Sequence, residues 1–295
     1  MIMTDYFNCN VRESVMCDVE WITTKRIKFG LERLKNKRWL VRSCSRGKEV
    51  KFIFMNDEER HELLLHYYKG GCLIHVPSGE DKSEAVQKFD SNIVYERDHR
   101  FSFKMEDGSW MIHVDQFHQS YWKWVENGKW SFYRSPDILF ENNAYRKYLH
   151  KYRKHPYFKR PVLEVILHHR FFNGLNNFTR NEILGRTRFS PFMPMCEVLE
   201  SEILREDLFD TMRYVLEQIY ILGGSQFGIW KNPNNVDKYK LKRWIEFYHN
   251  PKLCMFKDKD GRLFYVSDEW KQDLKKYIIE NDIPLADRSS KITAI

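Results

Sequence analysis

Three short stretches carry residue types that could do chemistry on a polyanion. In "FFNGLNNFTRNEIL", Phe171 to Leu184, Gly174 allows a tight turn and Asn177 stands where a helix N-cap should. A helix start leaves backbone N–H groups unpaired at the positive end of the macrodipole, which together favour a phosphate. The plainer reading is an ordinary capped helix. In "SRGKEVKF", Lys48 offers an amine at a turn. Such an amine becomes nucleophilic only where burial or a neighbouring cation, here Arg46, lowers its pKa; otherwise it is a solvated turn lysine. In "CMFKDKDGRLFYV", Arg262 follows the turn Asp260-Gly261 and by spacing alone is an exposed turn residue.

Metal chemistry has little to work with. The six cysteines, Cys9, Cys17, Cys44, Cys72, Cys196 and Cys254, include no CxxC pair, so reduced, buried thiols are expected. His168 and His169 are adjacent, and neighbours on a helix point about 100° apart, which is poor ligand geometry. No metal and no cofactor are expected.

The elements that must hold these residues fall into two kinds. From Arg38 to Tyr133 the pattern is mostly strand: "RWLVRSC" and "EVKFIF" flank Ser45-Arg46-Gly47-Lys48, "RFSFKMEDGSWMIHV" turns at Asp107-Gly108, and "YWKWVENGKWSFY" reads as a further hairpin at Asn127-Gly128. Ahead of them, "VRESVMCDVEW" is a plausible short helix. After Pro136 the period becomes helical. Ile138, Leu139, Tyr145, Tyr148 and Leu149 share one face, and Val162, Val165 and Ile166 another. The basic run "RKYLHKYRKHPYFKR", Arg146 to Arg160, lies between, as either a solvated helix face or a phosphate-facing stripe. Helices continue to Ile221 and stop at Gly223-Gly224. "SQFGIWKNPNNVDKYK" reads as loop, "LKRWIEFYH" as helix, and "CMFKDKDGRLFYV" as a last hairpin that needs something to pack on.

At 295 residues the chain can bury a large core, and its net charge of +8 favours a polyanionic partner, nucleic acid or an acidic membrane surface. No apolar run approaches the roughly 18 to 20 residues of a membrane span, and "MIMTDYFNCN" lacks the regions of a signal peptide. An intracellular, reducing setting is expected.

The run "FFNGLNNFTRNEILGRTRFSPFMPMCEVLE" resembles the helix-two-turn-helix of the Fpg/Nei family of DNA glycosylases, specifically the endonuclease VIII-like eukaryotic branch, where "FFNGIGNYLRAEIL" is followed by "PPF" and "VLE". About 30 residues match well, the similarity continues through Leu222 to Gly224, and it is weaker over the rest. The resemblance implies that Asn177 contacts DNA phosphate beside a lesion. Asn176 replaces a family glycine. The last hairpin resembles that branch's zincless finger, which makes Arg262 the finger arginine that binds phosphate around a flipped nucleotide, and "SRGKEVKF" resembles the family's "ARGKEL", which makes Lys48 a DNA-contacting, reaction-assisting lysine. The family's void-filling Met, Arg and Phe fall roughly on Lys69, His118 and Gln119, polar side chains that stack poorly in a vacated base site.

The front of the chain departs from the family, whose terminal proline amine forms a Schiff base beside a glutamate. Here it reads "MIMTDYF", where Asp5 is a weak replacement for the acid. The expectation is an α+β, multidomain protein: an N-terminal antiparallel β-sandwich (1–135), a helical helix-two-turn-helix domain (136–242), a zincless-finger β-hairpin (243–270) and a C-terminal tail (271–295). It is expected to act as a monomer, in the nucleus, binding duplex and damaged DNA through Asn177, Arg262 and Lys48 without standard glycosylase or lyase catalysis. Two alternatives stand: an active base-excision enzyme using the amine of Met1 or Lys48, and a protein-interaction module presenting "HQSYWKWVENGKWSFY" to protein partners.

Overall fold

The computed structural model of the chain describes residues 14–21, 31–34, 36–66, 71–89, 94–126, 128–222 and 238–283. They belong to two compact units, Met1–Phe132 and Tyr133–Ile295.

In the first unit, strands β1 (Ser14–Trp21), β2 (Trp39–Arg46), β3 (Glu49–Met55), β4 (Arg60–His66), β5 (Gly71–Val76), β6 (His99–Met105), β7 (Trp110–Asp115) and β8 (Tyr121–Val125) form an antiparallel sheet. Their order is β5-β7-β6-β1-β2-β3-β4-β8. The sheet folds over on itself. Two strands separate β3 from β6, which would put them about 14 Å apart in a flat sheet, yet the rings of Phe52 and Phe103 meet at 5.4 Å and those of Phe54 and Phe103 at 5.3 Å. The two halves therefore face each other as the expected sandwich, with Phe52, Phe54, Phe101 and Phe103 buried between them.

Residues 14–21 are a strand and not the short helix that the sequence favoured. β1 pairs with β2 on one side and β6 on the other, and a central position in the sheet overrides weak helical periodicity in a segment that carries β-branched Val15 and Val19. The β2–β3 connection is a two-residue turn, Gly47-Lys48, since Arg46 pairs with Glu49. Gly47 at φ 60 supplies the positive first position of a type II′ turn. Gly108, at φ 84, turns the β6–β7 hairpin as expected.

The expected hairpin at Asn127-Gly128 does not form: β8 pairs with β4, and the chain beyond it is not a strand. Asn127 itself lies outside the described residues. The Gly128 N–H donates instead to Glu62 at 3.0 Å, and Ser131 Oγ lies 3.0 Å from His66 Nε2. His66 Nδ1 is 3.1 Å from buried Glu49, so a Glu49–His66–Ser131 chain ties the segment to β3 and β4. Glu62 is also paired with Lys51 at 2.9 Å and Arg60 at 2.6 Å. Burial pushes its pKa up, but the bonds from Arg60, Lys51 and the Gly128 N–H outweigh that and hold the carboxyl below its usual value.

Two helices in this unit, α1 (Lys82–Phe89) and α2 (Tyr95–Asp98), were not anticipated. The start of α1 was legible: Asp81 accepts from the N–H groups of Ser83 at 2.9 Å and Glu84 at 3.0 Å, the bonds of an N-cap. Val86 of α1 packs with Ile74, Val76, Ile112 and Val114.

The second unit is helical, but the first expected helical face is shorter than its sequence suggested: Ile138 and Leu139 lie in a turn ahead of the helix that carries Tyr145, Tyr148 and Leu149. The unit contains α3 (Asn142–Tyr152), a 3-10 turn (Pro156–Lys159), α4 (Val162–Val165), α5 (Asn177–Arg186), α6 (Met195–Glu200), α7 (Glu202–Ile221) and α8 (Lys238–Trp244). Tyr145 and Leu149 are the buried face of α3. Gly223 and Gly224, expected to stop α7, lie outside the described residues. The hairpin β9 (Cys254–Lys257) and β10 (Leu263–Val266) follows, and the segment expected as a tail opens with α9 (Lys271–Glu280). Tyr277 of α9 packs against Phe192 at 5.2 Å and Phe256 at 6.0 Å and donates its hydroxyl to Glu164 at 2.8 Å. The hairpin is thus clamped between α5 and α9, which answers its need for support.

The helix read at "LKRWIEFYH" ends early, at Trp244. The N–H groups of Glu246, Phe247 and Tyr248 turn out of the helix to donate to the buried carboxylate of Glu182, at 3.2, 2.9 and 2.7 Å. Three bonds to one carboxylate outweigh one further helical turn.

Candidate nucleic-acid interface

The start of α5 corrects the sequence reading by one residue. Asn176, not Asn177, is the N-cap: its side chain accepts from the Thr179 N–H at 2.9 Å, while Thr179 Oγ1 accepts from the Asn176 N–H at 2.8 Å. This reciprocal pair is a capping box, and it explains why a residue other than glycine stands at position 176. Asn177 is therefore the first helical residue, which frees its side chain for other work.

That side chain reaches the hairpin. Asn177 Nδ2 donates to the Leu263 carbonyl at 2.9 Å, and Asn177 Oδ1 accepts from Arg180 Nη2 at 2.5 Å. Arg180, three residues on, lies on the same face of α5. Its guanidinium is wholly buried, donates through Nη1 to Asp258 at 2.6 Å and to the Leu163 carbonyl at 3.2 Å, and sits 5.0 Å from the centre of the Phe264 ring. Burial lowers the Arg180 pKa and Asp258 opposes the shift. Asn181 completes the seam, accepting from the Tyr265 N–H at 2.8 Å and donating to the Asn177 carbonyl at 2.7 Å.

Asp258 shapes the turn that presents Arg262. One of its oxygens takes Arg180 and the other accepts from the N–H groups of Asp260 at 3.0 Å and Arg262 at 2.8 Å. Gly261, at φ 75, closes the turn with an N–H donated to the Asp258 carbonyl at 2.8 Å. The Arg262 side chain is 46% exposed and rests on Asp260 at 2.6 Å. The structure thus brings Asn177 and the Arg262 turn together, through Leu263 and the Arg180–Asp258 pair.

The other sequence-derived residues sit elsewhere. Lys48 is half-buried at the tip of the β2–β3 turn in the first unit, and Arg46 lies 5.9 Å from the Trp130 ring. His118 and Gln119 are neighbours on the exposed loop after β7; His118 has φ 55 and its Nε2 stands 3.9 Å from Asp98. Lys69, Met1 and Asp5 lie outside the described residues.

Sequence reasoning missed Arg180, Asn181, Glu182 and Asp258, all buried and polar. Their signal was present as "TRNE", a polar run at the centre of a buried helix, but which partner each residue meets depends on contacts 64 to 84 positions away. Among the described residues no cluster of His, Cys, Asp and Glu could hold a metal ion, Cys44, Cys196 and Cys254 are free thiols, and no helix is long and apolar enough to cross a membrane.

No family model matches the chain. Endonuclease 8-like 1 of Homo sapiens is 27% identical over 165 residues, covering 50% of this chain and 42% of the relative, and Endonuclease 8-like 1 of Mus musculus is 26% identical over 164 residues with the same coverage. The match therefore spans less than half the length of those relatives. Among solved structures, the Lactococcus lactis Fpg bound to DNA containing an abasic site superposes with a TM-score of 0.66 at 16% identity over 90% of this chain and 94% of that one. MutM in complex with DNA containing carbocyclic 8-oxo-G gives a TM-score of 0.66 at 16% identity, over the same shares. The chain has the Fpg-like fold and is distantly homologous to Endonuclease 8-like 1.

Proposed function

We propose that this protein binds duplex DNA by its phosphate backbone, at the start of α5 and the turn of the β9–β10 hairpin, and serves as a DNA-repair-type binding protein that favours damaged or abasic sites. The observation that carries the reading is the bond from Asn177 to the Leu263 carbonyl, which joins a helix start to the turn of the half-exposed Arg262. The first N–H groups of α5 and the Arg262 guanidinium are both donors suited to phosphate oxygens. The net charge of +8 supports the same partner. So do the solved relatives of like fold, which hold abasic and 8-oxo-G-containing DNA.

The proposal is one of binding. Asn177 is a neutral amide and both oxygens of Asp258 are committed to donors, so these side chains build the phosphate-binding turn and supply no nucleophile. Titrating a labelled abasic duplex at several salt concentrations tests it. Affinity should fall steeply with salt, with a log-log slope reflecting several released counterions, and Arg262→Ala should reduce that slope by about one. A flat, weak response sinks the reading. Borohydride added to the same mixture should trap no covalent adduct; an adduct that disappears in Lys48→Met would establish a lyase using that amine.

A further inference from the structure

The segment expected to be a tail reaches, through one hydroxyl, the turn that carries Arg262. α9 turns Leu274 and Tyr277 into the core. The Tyr277 ring packs on Phe192 at 5.2 Å and Phe256 at 6.0 Å, which accounts for its apolar body, but a buried phenol also needs an acceptor for its O–H. It donates to Glu164 Oε1 at 2.8 Å. Burial, and after it the bond to the Glu164 carboxylate, push the Tyr277 pKa well above its ordinary value, so the hydroxyl remains a donor at neutral pH.

Glu164 is the meeting point. Its side chain is 6% exposed, and a carboxylate so far from water needs donors on both oxygens. Oε1 takes Tyr277, while Oε2 pairs with the Lys259 ammonium and stands 3.8 Å from Arg160 Nη1. Lys259 directly follows Asp258, whose carboxylate is bonded to Arg180 of α5. Two consecutive residues of the turn are therefore tied to different helices, Asp258 to α5 and Lys259, through Glu164, to α9. Arg180 also donates to the carbonyl of Leu163, the residue before Glu164, at 3.2 Å, which fixes the spacing between the two ties. A turn held at one residue can pivot about it, and a tie at the next residue removes that freedom. Arg262 closes this turn, with its N–H on Asp258 at 2.8 Å and its guanidinium on Asp260 at 2.6 Å.

We propose that Tyr277 is a positioning residue for DNA binding: through Glu164 and Lys259 it fixes the Asp258–Arg262 turn, so that the Arg262 guanidinium is already aimed when a phosphate arrives. The proposal rests on the reading of Arg262 as a phosphate contact. Tyr277 is 3% exposed and has no surface of its own to offer a duplex, so its effect on binding passes through the turn. A guanidinium ordered in advance loses less freedom on binding than one that must be ordered by the ligand. The helix after the hairpin thereby becomes part of the binding apparatus.

A double-variant cycle on the full chain tests this, with affinity for a labelled abasic duplex read by fluorescence anisotropy well below the melting temperature of each protein. Tyr277→Phe keeps the ring and its packing and removes only the hydroxyl. It should bind about threefold to tenfold more weakly than the parent, the scale expected when one contact loses its preorganisation. In an Arg262→Ala background the same substitution should change nothing further. Glu164→Gln, which still accepts from Tyr277 but gives up the charge that holds Lys259, should repeat the pattern. The slope of affinity against salt should fall in Tyr277→Phe towards its value in Arg262→Ala, a change that a mere loss of stability would not produce. Parent-like affinity in both Tyr277→Phe and Glu164→Gln, or an equal loss with and without Arg262, would overturn the positioning role and leave the phosphate contact standing. An Arg262→Ala protein that binds like the parent would remove the phosphate contact itself, and the positioning role with it.

Discussion

Asn177 donates its side-chain amide to the carbonyl of Leu263 at 2.9 Å, and Leu263 directly follows Arg262. A helix start and a hairpin turn that lie 86 residues apart in sequence are therefore held in one arrangement by one side chain. Asn177→Ala removes this bond and the acceptor of Arg180 Nη2. With each hydrogen bond worth about 1 kcal/mol, duplex affinity should fall about tenfold. Asn177→Asp keeps the Arg180 contact but sets a carboxylate against the Leu263 carbonyl and any phosphate. It should bind DNA more weakly than the alanine variant, and fluorescence anisotropy on the three proteins ranks them. Equal affinities would remove Asn177 from the interface.

The Arg180–Asp258 pair should behave as a buried charge couple. Removing either partner strands the other charge, at a cost of about 3 to 5 kcal/mol. Asp258→Asn keeps an oxygen for the N–H groups of Asp260 and Arg262 and sets an N–H against the Arg180 guanidinium, so its cost reports the stranded charge and not the loss of the turn's hydrogen bonds. Urea unfolding of both single variants and the double should show strong coupling, with the double less unstable than the two losses added. Additive losses would mean that the pair does not hold the turn.

How far the sequence reaches is visible at these same residues. The hairpin at 254–266, the helix over 177–186 and the type of sheet follow from alternation, period and turn glycines, which are local signals. The one-residue error at the cap arose because Asn176 and Asn177 are chemically identical choices, and only the Thr179 hydroxyl selects between them. Residues 14–21 misled because strand pairing is settled by neighbours distant in the chain. Arg180 and Asp258 could not be paired by inspection, since 78 residues separate them.

Gly185 is held by space and not by backbone conformation. A Cβ there would lie 2.1 Å from the Phe247 ring. Alanine usually gains about 1 kcal/mol over glycine inside a helix, but here overpacking of about 1 to 3 kcal/mol opposes it, and a clash with a ring held by the Glu182 bonds should prevail. Gly185→Ala should therefore lower the melting temperature, and Phe247→Ala added to it should recover part of the loss. A more stable Gly185→Ala protein would show that the 245–248 segment yields freely.

Acid should weaken the first unit through His113. The ring is fully buried on β7, its Nδ1 lies 3.0 Å from the Cys72 carbonyl, and burial pulls its pKa from 6.5 to about 4. The folded state therefore prefers the neutral ring, and between those two values the unfolded chain binds the extra proton. Its contribution is intact above pH 6.5 and is lost as the pH falls through that window, by up to about 3 kcal/mol at 1.36 kcal/mol per pH unit. His113→Phe, which keeps an aromatic ring but cannot titrate, should show a shallower loss of stability between pH 6.5 and 4 than the parent in parallel urea titrations. The hydrogen bond it forfeits lowers its stability at pH 7.5, so the slope and not the absolute value is the diagnostic quantity. Parallel slopes for the two proteins would assign the acid sensitivity to other groups.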